Sequence, residues 1–378
     1  MMKEEKEIKV MKHRIGIVGC GGIANQKHFP ALKNAADRVE LVAFCDLIRE
    51  RAENAAKEFG APDAKIYVDY HELLKDESIE IVYVLTPNVA HCPISVAAFE
   101  AGKHVLCEKP MAASVEDAEK MMEAWKKSGK MFTIGYQNRF RADSQTMKRM
   151  CDDGEMGEIY YAQAHALRRR GVPTWGVFTD KSQQGGGPLI DIGTHSLDLT
   201  LWLMDNYEPA SVTGVTFDKL GKTLQPKDQG NFLGTWDPDT YEVEDAAFGF
   251  VTMKDGSLIT LDATWILNST EERCASSYLC GTKAGAELTG VGGSNNQKLY
   301  LNKVMGGKQV KIDVDTSAGG VDFFDGDSAE PKDLECKTWL DAIEGKGELV
   351  VKPEQAFVVT KILDAIYKSA ETGKQIVF

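Results

Sequence analysis

A glycine-rich turn between an apolar run and a helical stretch constrains the fold of this chain more than any other feature. Residues 15–18 form an apolar, β-branched run, and the glycines follow it at once. Here Gly19 permits a tight turn, Gly21 lets a pyrophosphate approach the backbone, and Ala24 allows the helix to pack closely on the strand. The helix N-terminus then offers N–H groups to the phosphates. The residues predicted to hold a dinucleotide at this turn are Gly19, Gly21, Gly22 and Ile23.

Apolar runs and helical patterns alternate from Arg14 to about Ile134. The runs carry few polar residues, as expected for strands buried on both faces and joined by helical crossovers. Predicted strands are 15–18, 41–45, 81–85, 104–107 and 131–134, and predicted helices run to residue 34 and over 48–59, 93–101 and 114–127. The pattern predicts an α/β Rossmann domain with a doubly wound parallel sheet over residues 13–136, after an N-terminal tail at 1–12.

The pattern changes after about Tyr136. Strand-like runs at 159–167, 211–217, 242–253, 257–266, 299–304 and 309–314 follow one another with few helices between them. Successive strands without helical crossovers predict an antiparallel sheet. Residues 137–378 are therefore expected to form an α+β domain with a large and mostly antiparallel sheet. A last helix is predicted at about 353–373, and whether it packs back on the first domain stays open.

Charge and cysteine content exclude several classes of protein. The 57 acidic and 44 basic residues give a net charge of −13, which argues against nucleic acid or an anionic membrane surface as a partner. No run approaches the roughly 18 apolar residues of a membrane span, and the first residues lack the apolar segment of a signal peptide. The eight cysteines occur singly, which favours a reduced, cytoplasmic protein with no bound metal.

Asp46 ends the second predicted strand and bears on the choice of cofactor. A carboxylate at this place can accept from both adenosine ribose hydroxyls, and its charge repels a 2′-phosphate. We therefore expect NAD rather than NADP. Arg49 and Arg51 oppose this preference, since either could reach a phosphate. A helix N-cap role for Asp46 is compatible with ribose binding.

Two further motifs lie at predicted strand ends, where ligands bind in open α/β sheets. Glu108, Lys109 and Pro110 follow the run at 104–107. Lys109, held by the following proline, is expected to point into the cofactor crevice, where its ammonium can polarise a substrate oxygen and stabilise an alkoxide. A cis Lys109–Pro110 bond would fix the turn, but the sequence does not show it. The other motif, after the run at 81–85, comprises Thr86, Pro87, Asn88 and His91.

A third motif joins a glycine run to a helix. Gly185 to Gly187 predict a flexible loop, and Asp191 and His195 stand at i and i+4 on one face of the helix that follows. A histidine one turn from a carboxylate suits general acid–base catalysis. A capping aspartate with an incidental surface histidine would show the same spacing, but the glycine run and Lys109 favour catalysis. Gly193 is expected to leave room for a nicotinamide ring.

The chain resembles the Gfo/Idh/MocA oxidoreductases from Arg14 to Phe378. The resemblance rests on five motifs that occur in the family's order. They are Gly19-x-Gly21-x-x-Ala24, Thr86-Pro87-Asn88 with His91, Glu108-Lys109-Pro110, Gly135-Tyr136-Gln137-Asn138-Arg139-Phe140 and Gly187-x-x-x-Asp191-x-Gly193-x-His195.

The resemblance implies a catalytic set of Lys109, Asp191 and His195. His195 would take the proton of a sugar hydroxyl while hydride passes to the nicotinamide, Lys109 would polarise the reacting oxygen, and Asp191 would hold the sugar or orient the imidazole. The resemblance also implies that residues 137–378 bind the substrate and, through the antiparallel sheet, form a homodimer or homotetramer. The dinucleotide contacts expected from the motifs together are Gly19, Gly21, Gly22, Ile23, Asp46, Thr86, Pro87, Asn88, His91, Glu108, Lys109 and Gln137.

The substrate side is less defined. Arg168 and Trp175 lie between a predicted strand and the glycine run. A tryptophan can stack on a pyranose, and an arginine can bind hydroxyls or a carboxylate. Three consecutive arginines at 168–170 could equally form a solvated turn. Further candidates are Asn138, Arg139 and His165, although structural roles suit Arg139, His165 and Trp236 better.

Three functions remain open. The first is reversible, NAD-dependent oxidation of a secondary hydroxyl on a sugar, an anhydrosugar or a glycoside, with C3 as the candidate carbon. The second recycles a tightly bound NAD in an elimination, an epimerisation or a glycoside cleavage without net redox change. The third is a non-catalytic, nucleotide-sensing regulator, which Lys109 and His195 disfavour because such a protein would be expected to lose them.

Overall fold

The computed structural model describes residues 12–224, 234–289, 298–316 and 330–378. Two β-sheets and the helices packed on them make up this part of the chain. The predicted N-terminal tail lies outside it apart from Lys12. None of the helices in these ranges is both long and apolar enough to cross a membrane.

The first sheet has six parallel strands in the order β3-β2-β1-β4-β5-β6. Its strands are β1 His13–Val18, β2 Val39–Cys45, β3 Lys65–Tyr67, β4 Ile81–Val84, β5 His104–Glu108 and β6 Phe132–Gly135. Its helices are α1 Phe29–Asn34, α2 Arg49–Phe59, α3 Tyr70–Leu74, α4 Asn88–Glu100 and α5 Val115–Ser128. This confirms the predicted Rossmann fold. The strand order reverses between β1 and β4, which places the binding crevice at their carboxyl ends.

The helix predicted at 93–101 is longer than the sequence suggested. It begins at Asn88, with Pro87 as N-cap, and includes Pro93. A proline inside a helix lacks the N–H that would bond four residues back, which is why the sequence placed the helix start there. Burial of Cys92, Ile94 and Phe99 against the sheet outweighs that lost bond. The short elements β3 and α3 were not predicted.

The second sheet has nine strands in the order β14-β13-β12-β11-β7-β10-β9-β8-β15. Among the described strands of this second sheet, only β7 and β10 pair in parallel. The strands are β7 Ile159–Leu167, β8 Pro209–Phe217, β9 Ala246–Met253, β10 Leu258–Thr264, β11 Arg273–Gly281, β12 Ala284–Thr289, β13 Lys298–Met305, β14 Lys308–Val314 and β15 Ile376–Val377. A mostly antiparallel sheet is therefore confirmed. We did not predict β11 and β12, whose alanines, glycines and serines have weak strand propensity.

The helices that follow β6 belong to the second domain, and the last of them contacts both sheets. They are α6 Ala142–Asp152, α7 Lys181–Gln184, α8 Thr194–Met204, α9 Pro331–Ile343 and α10 Pro353–Thr372. The unpredicted α9 packs on the first domain, where Cys336, Trp339 and Leu340 join the core around β1. Helix α10 contacts α5 and β6 as well as α8 and β8. The C-terminal helices thus fix the two sheets on either side of one cleft.

Candidate active site

The glycine turn has the conformation that the sequence predicts. Gly19 has a φ of +97°, and a Cβ there would lie 2.5 Å from the Leu85 carbonyl oxygen. The chain continues into a π turn, Ala24–His28, before α1. A Cβ on Gly21 or Gly22 would meet no atom within 4 Å among the described residues. The turn is therefore tight at Gly19 and open at the next two glycines, as a pyrophosphate site requires.

Asp46 holds this turn to the end of β2. Its Oδ2 accepts from the Cys20 N–H at 2.8 Å and its Oδ1 from the Ile48 N–H at 2.8 Å. Each carboxylate oxygen has two lone pairs. The predicted capping role is corrected, because Ile48 and not Asp46 is the N-cap of α2. The carboxylate instead fixes the loop between β2 and α2, and its remaining lone pairs can accept from ribose hydroxyls.

Two buried polar atoms in the crevice have no hydrogen-bond partner within the described ranges. They are Oγ1 of Thr86, directly after β4, and Nδ1 of His195. Buried polar atoms are nearly always paired, so such atoms usually await a ligand or water. These two atoms and the open space at Gly21 and Gly22 fit a dinucleotide laid along the carboxyl ends of the strands.

Lys109 and Asp191 meet across the cleft. Lys109 follows β5, and its peptide bond to Pro110 is cis. Its Nζ donates to Oδ1 and to the main-chain oxygen of Asp191, both at 2.9 Å. Burial favours a raised pKa for Asp191, but the charges of Lys109 and Arg168 outweigh it and lower the pKa. The two residues therefore form an ion pair, with side chains 17% and 11% exposed.

Trp265 completes the surroundings of Asp191. Its indole N–H donates to Asp191 Oδ2 at 3.2 Å, and the side chain is fully buried. We missed this residue because it lies in the strand predicted at 257–266, where a tryptophan is easily taken for core. Only the juxtaposition of the end of β10 with Asp191 shows its role.

His195 lies one helical turn after Asp191, at the start of α8. Burial and the Lys109 charge lower its pKa to about 3, against the opposing effect of Asp191. The Tyr136 ring meets the imidazole edge-on at 6.4 Å. The imidazole is therefore neutral near pH 7 and can accept a proton.

The glycine run before Asp191 is fixed rather than flexible. A Cβ on Gly186 would lie 2.1 Å from the Tyr367 hydroxyl, and one on Gly187 2.3 Å from the Glu244 carbonyl oxygen. The Glu244 carboxylate accepts from the Gly187 N–H at 2.8 Å and from the Tyr367 hydroxyl at 2.8 Å. The prediction of flexibility was wrong, because these glycines serve close approach. Glu244 and Tyr367 anchor the segment that carries Asp191.

Gly193 also has a packing role. A Cβ there would lie 2.9 Å from the Ala263 Cβ and 3.4 Å from Leu189 Cδ1. The missing side chain lets the π turn Leu189–Gly193 pack on β10. The structure therefore corrects the expectation that Gly193 makes room for a nicotinamide ring.

His91 is a support for the crevice rather than part of its surface. It is fully buried, with Nδ1 2.8 Å from the Pro110 carbonyl oxygen and Nε2 2.9 Å from that of Thr86. Burial lowers its pKa, although the two backbone contacts oppose this. Both ring nitrogens are thus occupied by main-chain oxygens, and the expected direct contact with a dinucleotide is corrected. His91 instead links the motif at Thr86 to the motif at Pro110.

Glu108 likewise lies beneath the crevice. Its Oε1 accepts from Lys27 Nζ at 2.8 Å and from His28 Nε2 at 2.7 Å, and its Oε2 accepts from the Lys109 N–H at 3.1 Å. Burial favours a raised pKa for Glu108, but Lys27 and His28 hold it well below its usual value. The Glu108 carboxylate therefore binds three donors within the protein, and the predicted contact with the dinucleotide is corrected.

The remaining predicted cofactor residues line the same sheet edge. Asn88 donates from Nδ2 to the Gln184 carbonyl oxygen at 3.0 Å, which joins α4 to α7 across the cleft. Gln137 and Asn138 lie half-buried in the 3₁₀ turn that follows β6. Ile23 is partly exposed beside Gly22.

Two of the predicted substrate residues are not brought to the cleft. Arg139 is fully buried and binds Asp198 through Nε at 3.0 Å and Nη2 at 2.6 Å. His165 is paired with Asp262 at 2.9 Å, and strand alternation puts it on the sheet face opposite to Ala164. Both therefore have structural positions, as does Trp236, whose indole donates to the Gly221 carbonyl oxygen at 2.7 Å.

Arg168 and Trp175 stay candidates for substrate contact. Arg168 follows β7, donates to the Gly171 carbonyl oxygen at 3.1 Å and acts on Asp191 through its charge. Trp175 is 54% exposed, with Phe178 edge-on at 5.8 Å.

Comparison with known proteins identifies the family. Residues 13–136 match the family model described as "oxidoreductase family, NAD-binding Rossmann fold", and residues 148–378 match "oxidoreductase family, C-terminal alpha/beta domain". The chain belongs to the Gfo/Idh/MocA oxidoreductase family. The resemblance inferred from the motifs is confirmed, and the protein is an NAD(H)-binding oxidoreductase.

Several members of this family are similar to the chain. D-glucoside 3-dehydrogenase of Escherichia coli (strain K12) is 35% identical over 96% of this chain and 97% of its own. Inositol 2-dehydrogenase of Salmonella typhimurium (strain LT2) is 34% identical over 53% of this chain and 58% of its own. The structure of levoglucosan dehydrogenase with NADH and levoglucosan has a TM-score of 0.81 at 20% identity, and covers 97% of this chain and 99% of its own.

Proposed function

We propose that this chain is an NAD-dependent dehydrogenase that oxidises a secondary hydroxyl of a glycoside, at C3 of a glucoside. The observation that carries the proposal is the Lys109–Asp191 contact at 2.9 Å, with the neutral imidazole of His195 one turn away. The similarity to D-glucoside 3-dehydrogenase over nearly the whole of both chains supports the substrate class and the carbon.

The three site residues divide the chemistry between them. Lys109 Nζ places its positive charge at the reacting oxygen, where it stabilises the alkoxide that develops as the C–H bond breaks. His195 is neutral near pH 7, so a lone pair on its ring can accept the hydroxyl proton. Asp191 orients Lys109 through their ion pair, and Trp265 holds Asp191. The products are a ketone, a protonated imidazole and reduced cofactor.

NAD, when bound, supplies the hydride acceptor. The residues that would hold it are Gly19, Gly21, Gly22, Ile23, Asp46, Thr86, Pro87, Asn88, Lys109 and Gln137. Asp46 favours NAD over NADP, because its charge repels a 2′-phosphate.

Arg168, Trp175 and Asn138 are the residues we assign to the substrate. The charge of Arg168 acts within reach of Asp191, so its guanidinium can bind sugar hydroxyls beside the reacting carbon. The exposed Trp175 offers an aromatic face to a pyranose or to the aglycone.

Association of several copies and a cytoplasmic location complete the proposal. The outer face of the nine-stranded sheet exposes Val215, Phe217 and Phe250 on neighbouring strands, which favours a homodimer or homotetramer through this face. All eight cysteines are free, which supports a reducing compartment.

A cofactor-coupled screen tests the function. The purified protein is mixed with NAD and methyl β-D-glucoside, levoglucosan, an inositol or free glucose, and NADH formation is followed by absorbance. We expect the glucoside to be oxidised fastest and NMR of the product to show a ketone at C3. Absence of NADH formation with every compound in the panel would contradict the proposal.

The same assay separates the two other functions. Conversion of a glycoside without added NAD, by protein that carries bound cofactor, would favour the recycling enzyme. Binding of NADH without conversion of any compound would favour the regulator.

A further inference from the structure

A buried cluster of charges lies directly beneath Lys109. Lys27 Nζ bridges Glu108 Oε1 and Glu335 Oε2, each at 2.8 Å, and His28 Nε2 approaches Glu108 Oε1 at 2.7 Å. The four side chains are between 4% and 7% exposed. The Glu108 carboxylate can only accept, so His28 Nε2 carries a hydrogen.

Three distant segments meet in this cluster. Lys27 and His28 belong to the π turn after the glycine turn, Glu108 ends β5, and Glu335 belongs to α9. The strand β6 closes over it, since a Cβ on Gly135 would lie 2.9 Å from Glu108 Oε1. The cluster thus links the cofactor turn, the strand that carries Lys109 and a helix from the end of the chain.

Two links join the cluster to the site. The Lys109 N–H donates to Glu108 Oε2 at 3.1 Å, which fixes the backbone from which the Lys109 side chain reaches Asp191. The charges of Glu108 and Lys27 also act on His195, in opposite directions. The charged or titratable groups around His195 are Lys109, Glu108, Asp191, Lys27 and Tyr136.

Stability alone does not account for the composition of the cluster. Burial of charges is expensive, and a buried ion pair is weak evidence for stability. Lys27 and Glu108 would balance as a pair, yet Glu335 adds a second carboxylate, whose Oε1 has no partner within the described ranges. The added carboxylate does give Lys27 a second contact besides Glu108, at 2.8 Å.

We propose that Glu335 and Lys27 are positioning residues for catalysis, which hold the Glu108 carboxylate so that it fixes Lys109 and balances the charge seen by His195. This inference rests on the proposed function of Lys109 and His195. It assigns helix α9, which comes from the end of the chain, a place in the catalytic machinery.

Substitutions at both positions test the proposal, with methyl β-D-glucoside and NAD as substrates. Glu335→Leu removes the acceptor for Lys27, and we expect kcat to fall about tenfold while the affinity for NADH changes little. Glu335→Gln keeps an acceptor oxygen and is expected to recover most of that loss. Lys27→Met removes the buried cation, and we expect a larger fall in kcat.

The control is another ion pair of α9. Arg38 binds Asp341 and Glu344 at 2.7 and 2.8 Å at the other end of the helix, away from Lys109. Arg38→Met should lower the unfolding temperature as Glu335→Leu does, with kcat unchanged. An equal loss of kcat in the Arg38 and Glu335 variants, or none in Glu335→Leu, would overturn the proposal.

A second measurement does not depend on turnover. The imidazole pKa of His195 is followed by NMR of protein with labelled histidine, and His195→Gln identifies the signal. Without Lys27 the Glu108 charge is less balanced, so we expect the His195 pKa to rise in Lys27→Met and to stay unchanged in Arg38→Met. An unchanged pKa in a folded Lys27→Met protein would refute the electrostatic part. If Lys27→Met does not fold, the comparison of kcat between Glu335→Leu and Glu335→Gln tests the proposal.

The two levels of inference fail differently. Full activity of a Lys109→Met protein would refute the proposed function itself. Loss of activity in Lys109→Met together with full activity in Glu335→Leu would refute only the role of the buried cluster.

Discussion

Two cation–carboxylate pairs, whose carboxylates lie on one helical segment, have different roles in this protein. Lys109 and Arg139 follow the neighbouring strands β5 and β6, and they bind Asp191 and Asp198, which lie about two helical turns apart. The first pair is 17% and 11% exposed, whereas the second is fully buried on both sides. Similar residues at parallel positions therefore face a cleft in one case and a core in the other.

The difference lies in how fully each cation is bound. Arg139 donates to both oxygens of Asp198, to the Val350 carbonyl oxygen at 2.9 Å and to Gln355 Oε1 at 2.7 Å. Lys109 directs two bonds at Asp191, and an ammonium has three donors. A saturated pair at full burial holds structure together, and a pair with a donor to spare beside a cleft can act on a substrate.

The largest loss of activity is expected from removal of the Lys109 cation, whose pair with Asp191 lies beside the cleft. Lys109→Met should lower kcat/KM by about 10³-fold, since a charge placed at a developing alkoxide contributes this much. Affinity for NADH should fall far less, because the other residues assigned to the cofactor are unchanged. Turnover of methyl β-D-glucoside and fluorescence titration with NADH measure the two quantities.

The matched control is Lys103→Met. Lys103 is another buried lysine of the first domain, and it donates to the carbonyl oxygens of Asp76 and Ile79. This variant should lose stability and keep its specific activity. A similar loss of activity in both variants would show that the first result reports folding.

Removal of the cation from the buried pair of Arg139 and Asp198 should destabilise the fold. Arg139→Leu leaves the Asp198 charge buried without its partner, which costs about 3–5 kcal/mol of unfolding free energy. Urea denaturation measures the loss. The double change Arg139→Leu with Asp198→Leu should restore much of it, and a single variant as stable as the wild type would remove the distinction between the two pairs.

A smaller effect is expected from the second hydrogen bond of Asp191. Trp265→Phe removes the indole donor, and a hydrogen bond to a charged group contributes about 1.5–3 kcal/mol. We expect kcat to fall between about 10-fold and 100-fold. Trp236→Phe also removes a buried indole bond, to Gly221, and should leave kcat unchanged; equal effects of the two changes would contradict a specific role for Trp265.

The smallest effect concerns the pH dependence of stability. His195 has a pKa of about 3 in the folded protein and about 6.5 in the unfolded chain. Between these values the unfolded state binds more protons, so the unfolding free energy falls as pH falls, by up to about 1.4 kcal/mol per pH unit. The protein should lose this stability below about pH 6.5.

His195→Gln lacks this titration. Its unfolding free energy, measured in urea between about pH 8 and pH 5, should fall less steeply than that of the wild type. The structure shows His195 buried, and parallel curves for the two proteins would contradict this.

Local patterns were enough to find much of the molecule. The turn at Gly19, the strand ends at Thr86 and Glu108, and the i, i+4 spacing of Asp191 and His195 can be read within short windows, because strand and helix periodicity is local. The family motifs then named the reaction class. Short windows do not show which side chains are buried or paired. For this reason Arg139 was a candidate for substrate binding, and Gly193 was expected to make room for the nicotinamide.

The sequence by itself determined the doubly wound parallel sheet, the kind of second sheet and the residues that we propose for the chemistry. Only the tertiary structure decided what holds those residues in place. Trp265 at Asp191, Glu244 and Tyr367 at the glycine run, and Glu335 under Lys109 each come from segments far along the chain. Such contacts depend on how sheets and helices pack, and packing brings together residues whose separation in sequence gives no sign that they will meet.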